Sequence, residues 1–108
     1  MLNQLPRPVA GYVSSGNTGD SGDLASWFAS DALVRDEGRI FEGLVAIQAW
    51  HAEARRKYHH TVEPLVIANR DGLTILTARV SGDFPGSPVD LEHVFEIAGD
   101  KIISLEIR

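Results

Sequence analysis

The sequence of 108 residues contains no cysteine. Without cysteine the chain forms no disulfide, no thiolate nucleophile and no cysteine-based zinc site, so the hydrophobic core alone must hold the fold. This composition suits a reducing compartment, and residues 1–8 lack the apolar run of a signal peptide. We therefore expect a cytoplasmic protein.

Long apolar runs are missing as well, because no segment approaches the roughly 18 consecutive apolar residues of a membrane span. Basic side chains are outnumbered, with 10 Lys and Arg against 15 Asp and Glu and a net charge of -5. This balance gives no electrostatic attraction to nucleic-acid phosphates or to anionic lipid. We expect neither nucleic acid nor a membrane as a partner.

What is present is the composition of a folded globular protein, with 44% hydrophobic and 23% charged residues. The length suits one hydrophobic core, so we expect a single domain over residues 1–108.

Helical spacing dominates the first half of the chain. A buried stripe predicts a first helix, formed by Leu5, Val9, Tyr12, Val13 and Gly16. A glycine-rich turn follows at residues 16–22, and Asp20 or Asp23 is placed to cap a short second helix. Alternation predicts a strand at residues 32–37 and a short segment at 39–41. A long helix is then expected after Gly43, ending at about Lys57.

The second half of the chain is predicted to be extended. Strands are expected at residues 61–69, 73–82, 89–97 and 102–107, joined by turns into an antiparallel meander. The segregation of helices from strands predicts an α+β fold, with three N-terminal helices packed on one face of an antiparallel or mixed sheet.

Two ionisable residues lie on predicted apolar strand faces. Asp36 shares a face with Ala32 and Val34, and His93 lies on the apolar face of the strand at residues 89–97. A carboxylate on an apolar face is poorly hydrated when ionised, which raises its pKa and its strength as a base. The structural alternative is that Asp36 accepts hydrogen bonds from turn amides near Gly38, while His93 is a core histidine.

Two segments carry a resemblance to a known family. The first runs from Tyr12-Val13 through Gly19-Asp20 and Phe28-Ala29-Ser30-Asp31-Ala32 to Asp36, and the second is Gly43-Leu44-Val45-Ala46-Ile47-Gln48-Ala49-Trp50. Together with the closing strands, they resemble the nuclear transport factor 2-like superfamily, in particular ketosteroid isomerase and the SnoaL-like polyketide cyclases. The resemblance implies a strongly curved sheet that forms a cone-like half-barrel around an internal pocket. Members of this superfamily include isomerases, cyclases, dehydratases and binding proteins, so the fold does not fix the function.

The resemblance also implies site residues. Ketosteroid isomerase uses an aspartate base, a tyrosine donor and a protonated aspartate, and Tyr12 and Asp36 have the spacing of the first two. The strand that supplies the second acid of the family here offers Glu92 and His93, of which alternation turns His93 toward the pocket. The implied catalytic set is Asp36 as proton shuttle, with Tyr12 and His93 as donors to a developing enolate oxygen, and no cofactor.

Other side chains are candidates for the pocket wall. We expect substrate contacts from Trp27, Phe28, Val34, Trp50, Arg79 and Phe95, although aromatic residues more often fill a core. The strand face of Arg79 stays open, because both faces of that strand are apolar. His59 and His60 do not predict a metal site, since adjacent strand residues point to opposite faces and no further ligand lies at suitable spacing.

Two functions remain open at this point. The first is proton transfer by Asp36 on a small apolar carbonyl compound, in an isomerisation, an aldol-type cyclisation or a dehydration. The second is a non-catalytic module of the same fold that binds a small ligand or serves assembly, with Asp36 in a structural role. In either case, a sheet that is apolar on both faces in so short a chain predicts a homodimer through the outer face of the sheet.

Overall fold

The computed structural model describes residues 5–108. Its elements are α1 (Arg7–Thr18), a 3-10 helix (Ser21–Ser26), β1 (Phe28–Asp36), β2 (Arg39–Glu42), α2 (Leu44–Tyr58), β3 (Thr61–Arg70), β4 (Leu73–Ser81), β5 (Val89–Ala98) and β6 (Lys101–Ile107). The predicted α+β class is confirmed.

The helix count differs from the prediction, because the short second helix is a 3-10 helix. Asp20 caps it, accepting a hydrogen bond from the Asp23 backbone N–H at 3.2 Å. The following strand begins at Phe28, four residues before the predicted start, since Phe28 pairs with Ile102 in a distant part of the sequence. Long-range pairing therefore extends β1 beyond what local alternation indicates.

The six strands form one mixed sheet in the order β2-β1-β6-β5-β4-β3. The β1–β6 pair is parallel, and the other neighbours are antiparallel. The register shifts in three of the strand pairs, between Phe28 and Leu33, between Pro64 and Val66, and between Glu96 and Ile97. Such irregularities bend a sheet and increase its twist, which curves this one around the helices.

The β1–β2 hairpin places Asp36 at the end of its strand. Asp36 pairs with Arg39 across a two-residue turn in which Glu37 and Gly38 have φ values of 54° and 74°. Positive φ at both central residues is the pattern of a type I′ turn, whose twist matches that of the flanking strands. Asp36 therefore keeps the face it shares with Ala32 and Val34, as alternation predicts.

The core fills the space between the helices and the inner face of the sheet. Its largest fully buried side chains include Leu24, Phe28, Ile47, Leu76, Phe95, Ile102 and Leu105. Asn17 joins α1 to the sheet edge: its side-chain amide donates to the Val62 carbonyl oxygen at 2.9 Å, and its oxygen accepts from the Val62 N–H at 2.7 Å. The end of α1 is thereby held against β3.

The outer face of the sheet carries the side chain of Arg79. Its guanidinium donates to Asp90 Oδ1 at 3.0 Å on the neighbouring strand and is about half exposed, at 46%. The apolar residues Ile75 and Val94 lie opposite each other on this face. The outer face is thus a mixture of apolar and charged side chains, and the homodimer stays a prediction.

Within residues 5–108, no helix is long and apolar enough to cross a lipid bilayer.

Candidate functional site

A cavity of about 300 Å³ lies between the inner face of the sheet and the two α-helices. We call it the Asp36 cavity. Its ionisable wall residues are Tyr12, Asp36, Glu37, His51, Tyr58, His60 and His93. Its other wall residues are Trp50, Ala54, Val62, Val80, Phe84, Val89, Leu91 and Ile107. The volume is at the lower end of the range for small-molecule pockets, so the space suits a compact, mainly apolar ligand.

Asp36 brings a half-buried carboxylate to this apolar wall. Burial raises its pKa above the usual range of aspartate; a hydrogen bond from Trp50 lowers the pKa, the neighbouring Glu37 charge raises it, and a hydrogen bond with the Glu37 backbone lowers it. The Trp50 Nε1–H donates to Asp36 Oδ2 at 3.1 Å. The Asp36 carboxylate thus accepts a hydrogen bond from the Trp50 indole and one from the Glu37 backbone in the turn, and its partial burial gives it the poor hydration that strengthens a base.

Tyr12 lines the cavity and is the centre of a cluster of aromatic rings. It is 4% exposed, and its ring centroid lies 5.7 Å from that of Phe95 and 6.0 Å from that of Phe28. Burial, and secondarily the Asp36 charge, raise the pKa of its phenol well above the usual value. The phenol is therefore protonated at all physiological pH values and can act as a hydrogen-bond donor.

His93 lines the cavity from β5 beside Tyr12, with 6.2 Å between the ring centroids. It is 2% exposed, and burial lowers its pKa to about 4, so the ring is neutral at pH 7. Its Nδ1 lies 3.4 Å from the Leu91 carbonyl oxygen. A carbonyl only accepts, so this contact uses the one N–H of a neutral ring and leaves Nε2 with a lone pair. The predicted role of His93 as a donor to the ligand thus competes with a backbone contact.

Among the predicted wall residues, Trp50 lines the cavity and the other five do not. Phe28, Val34 and Phe95 are buried members of the core cluster. Trp27 packs on α1 over Gly11, where a Cβ atom would come within 2.1 Å of the indole. The Trp27 Nε1–H donates a hydrogen bond to Asp23 Oδ2 at 3.2 Å. Arg79 points away from the cavity on the outer face. The structure thus places these five residues outside the wall of the Asp36 cavity.

The structure adds His51, which the sequence-based prediction missed. It lies on α2, four residues after Ile47 and three before Ala54, and is 2% exposed. Burial lowers the pKa of His51 to about 4, with smaller contributions from His60 and Arg55. The signal was present in the sequence, since His51 falls on the same helical stripe as the apolar residues that predict the helix.

His59 and His60 have different surroundings, but not through strand alternation: His59 is the left-handed C-cap of α2, with φ 47°, and β3 begins only at Thr61. His60 faces the cavity, whereas His59 is exposed and bonds Asp83 through Nδ1 at 2.9 Å. Burial lowers the pKa of His60, and nearby Arg55 lowers it further. In the described part of the chain, no group of three His, Cys, Asp or Glu side chains comes together in a metal-binding arrangement.

Asp36 also borders a second groove of about 430 Å³, between the β1–β2 hairpin and α2. Trp50 and Tyr58 belong to the walls of both spaces, while Phe41, Lys57 and Arg39 line only the outer groove. The carboxylate of Asp36 is thus located where the cavity meets the second groove.

Comparison with solved structures identifies the family. A protein from Sinorhizobium meliloti, provisionally named a polyketide cyclase, is 38% identical, and the alignment covers 96% of this chain and 95% of that chain with a TM-score of 0.92. A protein of ketosteroid isomerase-like fold from Catenulispora acidiphila, solved in complex with trimethylamine, is 18% identical with a TM-score of 0.84 over 97% of this chain and 86% of that one. A nuclear transport factor 2-like protein of unknown function from Cytophaga hutchinsonii is 12% identical with a TM-score of 0.78 over 100% and 93%.

The chain therefore belongs to the nuclear transport factor 2-like superfamily, with its SnoaL-like members. The two more distant structures support the fold alone. No protein-family model matches the sequence, and no curated protein matches it either.

Proposed function

We propose that the chain binds an apolar carbonyl compound in the Asp36 cavity and catalyses proton transfer at the carbon next to the carbonyl, without a cofactor. The observation that carries this proposal is a half-buried carboxylate, held by Trp50, on the wall of the same apolar cavity as a buried and protonated phenol. These two groups are what an enolisation needs, a base for the carbon acid and a donor for the oxygen that becomes negative.

In the proposed step, the Asp36 carboxylate removes a proton from the α carbon. The electron pair of the broken C–H bond forms the carbon–carbon double bond of an enolate, and the carbonyl π electrons move to oxygen. The Tyr12 hydroxyl donates a hydrogen bond to that oxygen, a contact worth about 3 kcal/mol in a water-poor site. The raised pKa of Asp36 brings base and carbon acid closer in strength, which favours the transfer.

The fate of the enolate distinguishes the reactions in this class. Return of the proton to another carbon is an isomerisation, attack of the enolate carbon on a second carbonyl is an aldol-type cyclisation, and loss of a hydroxyl is a dehydration. The provisional name of the Sinorhizobium meliloti relative favours a cyclisation among the three. All three begin with the same proton transfer.

A non-catalytic binding module is the second candidate. The trimethylamine complex of the Catenulispora acidiphila protein supports it, because it shows a small molecule bound to a protein of this fold. The two candidates predict different results with an enolisable ketone.

The test is deuterium exchange in D2O with α-tetralone, a two-ring ketone, and with tetralin, the same skeleton without the carbonyl. NMR would follow both binding and the loss of the α-proton signal. We expect binding of both compounds and protein-dependent exchange of the α-tetralone α protons only. Binding of the ketone with exchange no faster than in buffer would contradict proton transfer on this compound and favour the binding module.

A further inference from the structure

Arg39 is the cross-strand neighbour of Asp36 in the β1–β2 hairpin, and the proposed proton transfer does not use it. The two residues are register partners, so their side chains leave the sheet on the same face. The Arg39 guanidinium lies over the Phe41 ring, with 4.9 Å between Cζ and the ring centroid. Both Arg39 and Phe41 line the second groove. A cation–π contact therefore holds the guanidinium on the groove wall, one strand away from the base.

A second cation lines this groove from α2. Lys57 lies in the last turn of the helix, and its Nζ is 5.1 Å from the centroid of the Tyr58 ring. Among residues 5–108, neither Arg39 nor Lys57 forms an ion pair with a carboxylate. Both residues are exposed, so their N–H groups are accessible to a molecule in the groove.

The acidic residues of the groove wall leave these cations available. Glu53 forms an ion pair with Arg56, and Asp36 accepts a hydrogen bond from Trp50 and is the proposed base. The remaining acidic wall residue is Glu37, in the hairpin turn. Two unpaired cations thus face one carboxylate that is neither paired nor assigned to the reaction. This excess of one positive charge favours a ligand group with one negative charge.

The position of Asp36 gives a ligand two directions from its reacting carbon. Asp36 belongs to the walls of both the cavity and the second groove, as do Trp50 and Tyr58. The cavity offers about 300 Å³ and is lined mainly by apolar side chains, whereas the groove offers about 430 Å³ and contains the two cations. A ligand with its α carbon at Asp36 therefore fits with an apolar end in the cavity and an anionic end in the groove.

A carboxylate is the anion that suits this pair of cations. The planar guanidinium of Arg39 presents parallel N–H donors that match the two oxygens of a carboxylate, and the Lys57 ammonium adds a point charge. The contact with Phe41 restricts the guanidinium before any ligand arrives. Less side-chain entropy is then lost on binding.

We propose that Arg39, together with Lys57, binds a carboxylate group of the ligand in the second groove while the carbonyl group of the ligand occupies the Asp36 cavity. This inference rests on the proposed function and specifies its substrate class as keto carboxylates whose α carbon lies between the two groups. Arg39 is then a specificity-determining residue, because it selects the anionic end of the ligand and orients the α carbon toward Asp36.

The test compares three keto acids with their primary amides by calorimetry: β-benzoylpropionate, γ-benzoylbutyrate and δ-benzoylvalerate. Each acid has an enolisable carbon between its aryl ketone and its carboxylate, and the chain length varies the reach into the groove. The amide has the same shape without the charge. At low salt, we expect at least one acid to bind about fivefold more tightly than its amide, the upper end of the range for an exposed ion pair. Equal affinities within all three pairs would overturn the inference.

Substitution of the cations assigns the preference to the groove. We expect Arg39→Gln to lose the preference for the acid and Lys57→Gln to reduce it by a smaller factor. Arg35→Gln is the matched control, because it removes the same charge from the same hairpin. Arg35 is exposed and lines neither the cavity nor the groove, so the preference should remain. An unchanged preference in Arg39→Gln, or an equal loss in Arg35→Gln, shows that the inference is wrong.

A direct readout is the side-chain Nε–H signal of Arg39 in NMR spectra of the wild-type protein. It should move when the preferred acid binds and move much less with the amide, while the Arg35 signal stays in place. Equal shifts with acid and amide would count against the inference. This measurement decides the question even if Arg39→Gln fails to fold.

These readouts measure binding and need no turnover. If exchange of the α-tetralone protons is absent but the Arg39-dependent preference is present, the proposed reaction fails and the carboxylate site stands. If exchange is present but acids and amides bind equally, the proposed reaction stands and the inference is wrong.

Discussion

Acidification should destabilise this protein through the buried histidines of its cavity. Burial lowers the pKa values of His51 and His93 to about 4, whereas an unfolded histidine titrates near pH 6.5. Between pH 4 and pH 6.5 these two histidines bind protons in the unfolded chain but stay neutral in the folded chain. Stability is therefore fully present above about pH 6.5 and falls as the pH drops toward 4.

The size of the effect follows from the same values. One pH unit in this window corresponds to about 1.4 kcal/mol per histidine, so at pH 5 each should cost about 2 kcal/mol relative to pH 7.5, or about 4 kcal/mol together. His60 acts in the same direction, because burial lowers its pKa. Asp36 acts in the opposite direction, because burial raises its pKa and its protonation then favours the folded state. The loss of about 4 kcal/mol from His51 and His93 together is a large share of the 5–15 kcal/mol that typically stabilises a domain.

Urea unfolding at several pH values between 5 and 7.5 measures this slope. His51→Gln and His93→Gln should each remove about half of the loss, while the control His59→Gln, at an exposed position, should keep it. A free energy of unfolding that stays constant over this range, or variants with the wild-type slope, would refute the assignment of buried neutral histidines.

Two further predictions concern the elements that place the site. Asn17→Ala removes both hydrogen bonds to Val62 and should lower the free energy of unfolding by about 2 kcal/mol in urea titrations; unchanged stability would show that the α1–β3 link contributes nothing. Glu37→Gly relieves a positive φ of 54° and should stabilise the protein by about 0.5–1 kcal/mol. Burial raises the pKa of Asp36, and removing the Glu37 charge should lower that pKa in carboxyl ¹³C NMR titrations; a rise would contradict the electrostatic account.

The sheet face of the site residues Asp36 and His93 could be predicted from the sequence, because the alternation of side chains along a strand is a local property. Ala32 and Val34 are enough to assign Asp36 to the inner face, and the neighbours of His93 do the same on β5. Arg79 could not be assigned in this way, since both faces of β4 are apolar. Its face is decided by cross-strand partners, above all Asp90, which alternation within one strand does not reveal.

The helical half of the site depends on packing between distant segments. His51 falls on the buried stripe of α2, but a polar residue there has no assigned role until α1 and the 3-10 helix supply Gly16 and Ser21 beside it. Likewise, whether an aromatic residue fills the core or lines a cavity depends on the curvature of the sheet. That curvature leaves Phe95 in the core and Trp50 on the cavity wall.

The proposed function rests on the claim that Asp36 is the base. Its most direct test is the deuterium-exchange rate of α-tetralone at saturating ketone in Asp36→Asn. An asparagine keeps the shape of the side chain and removes the basic oxygen. We predict at least about a 100-fold loss of protein-dependent exchange with little change in affinity, and no loss in Asp31→Asn, an exposed carboxylate on the same strand. Exchange in Asp36→Asn at the wild-type rate would contradict the claim.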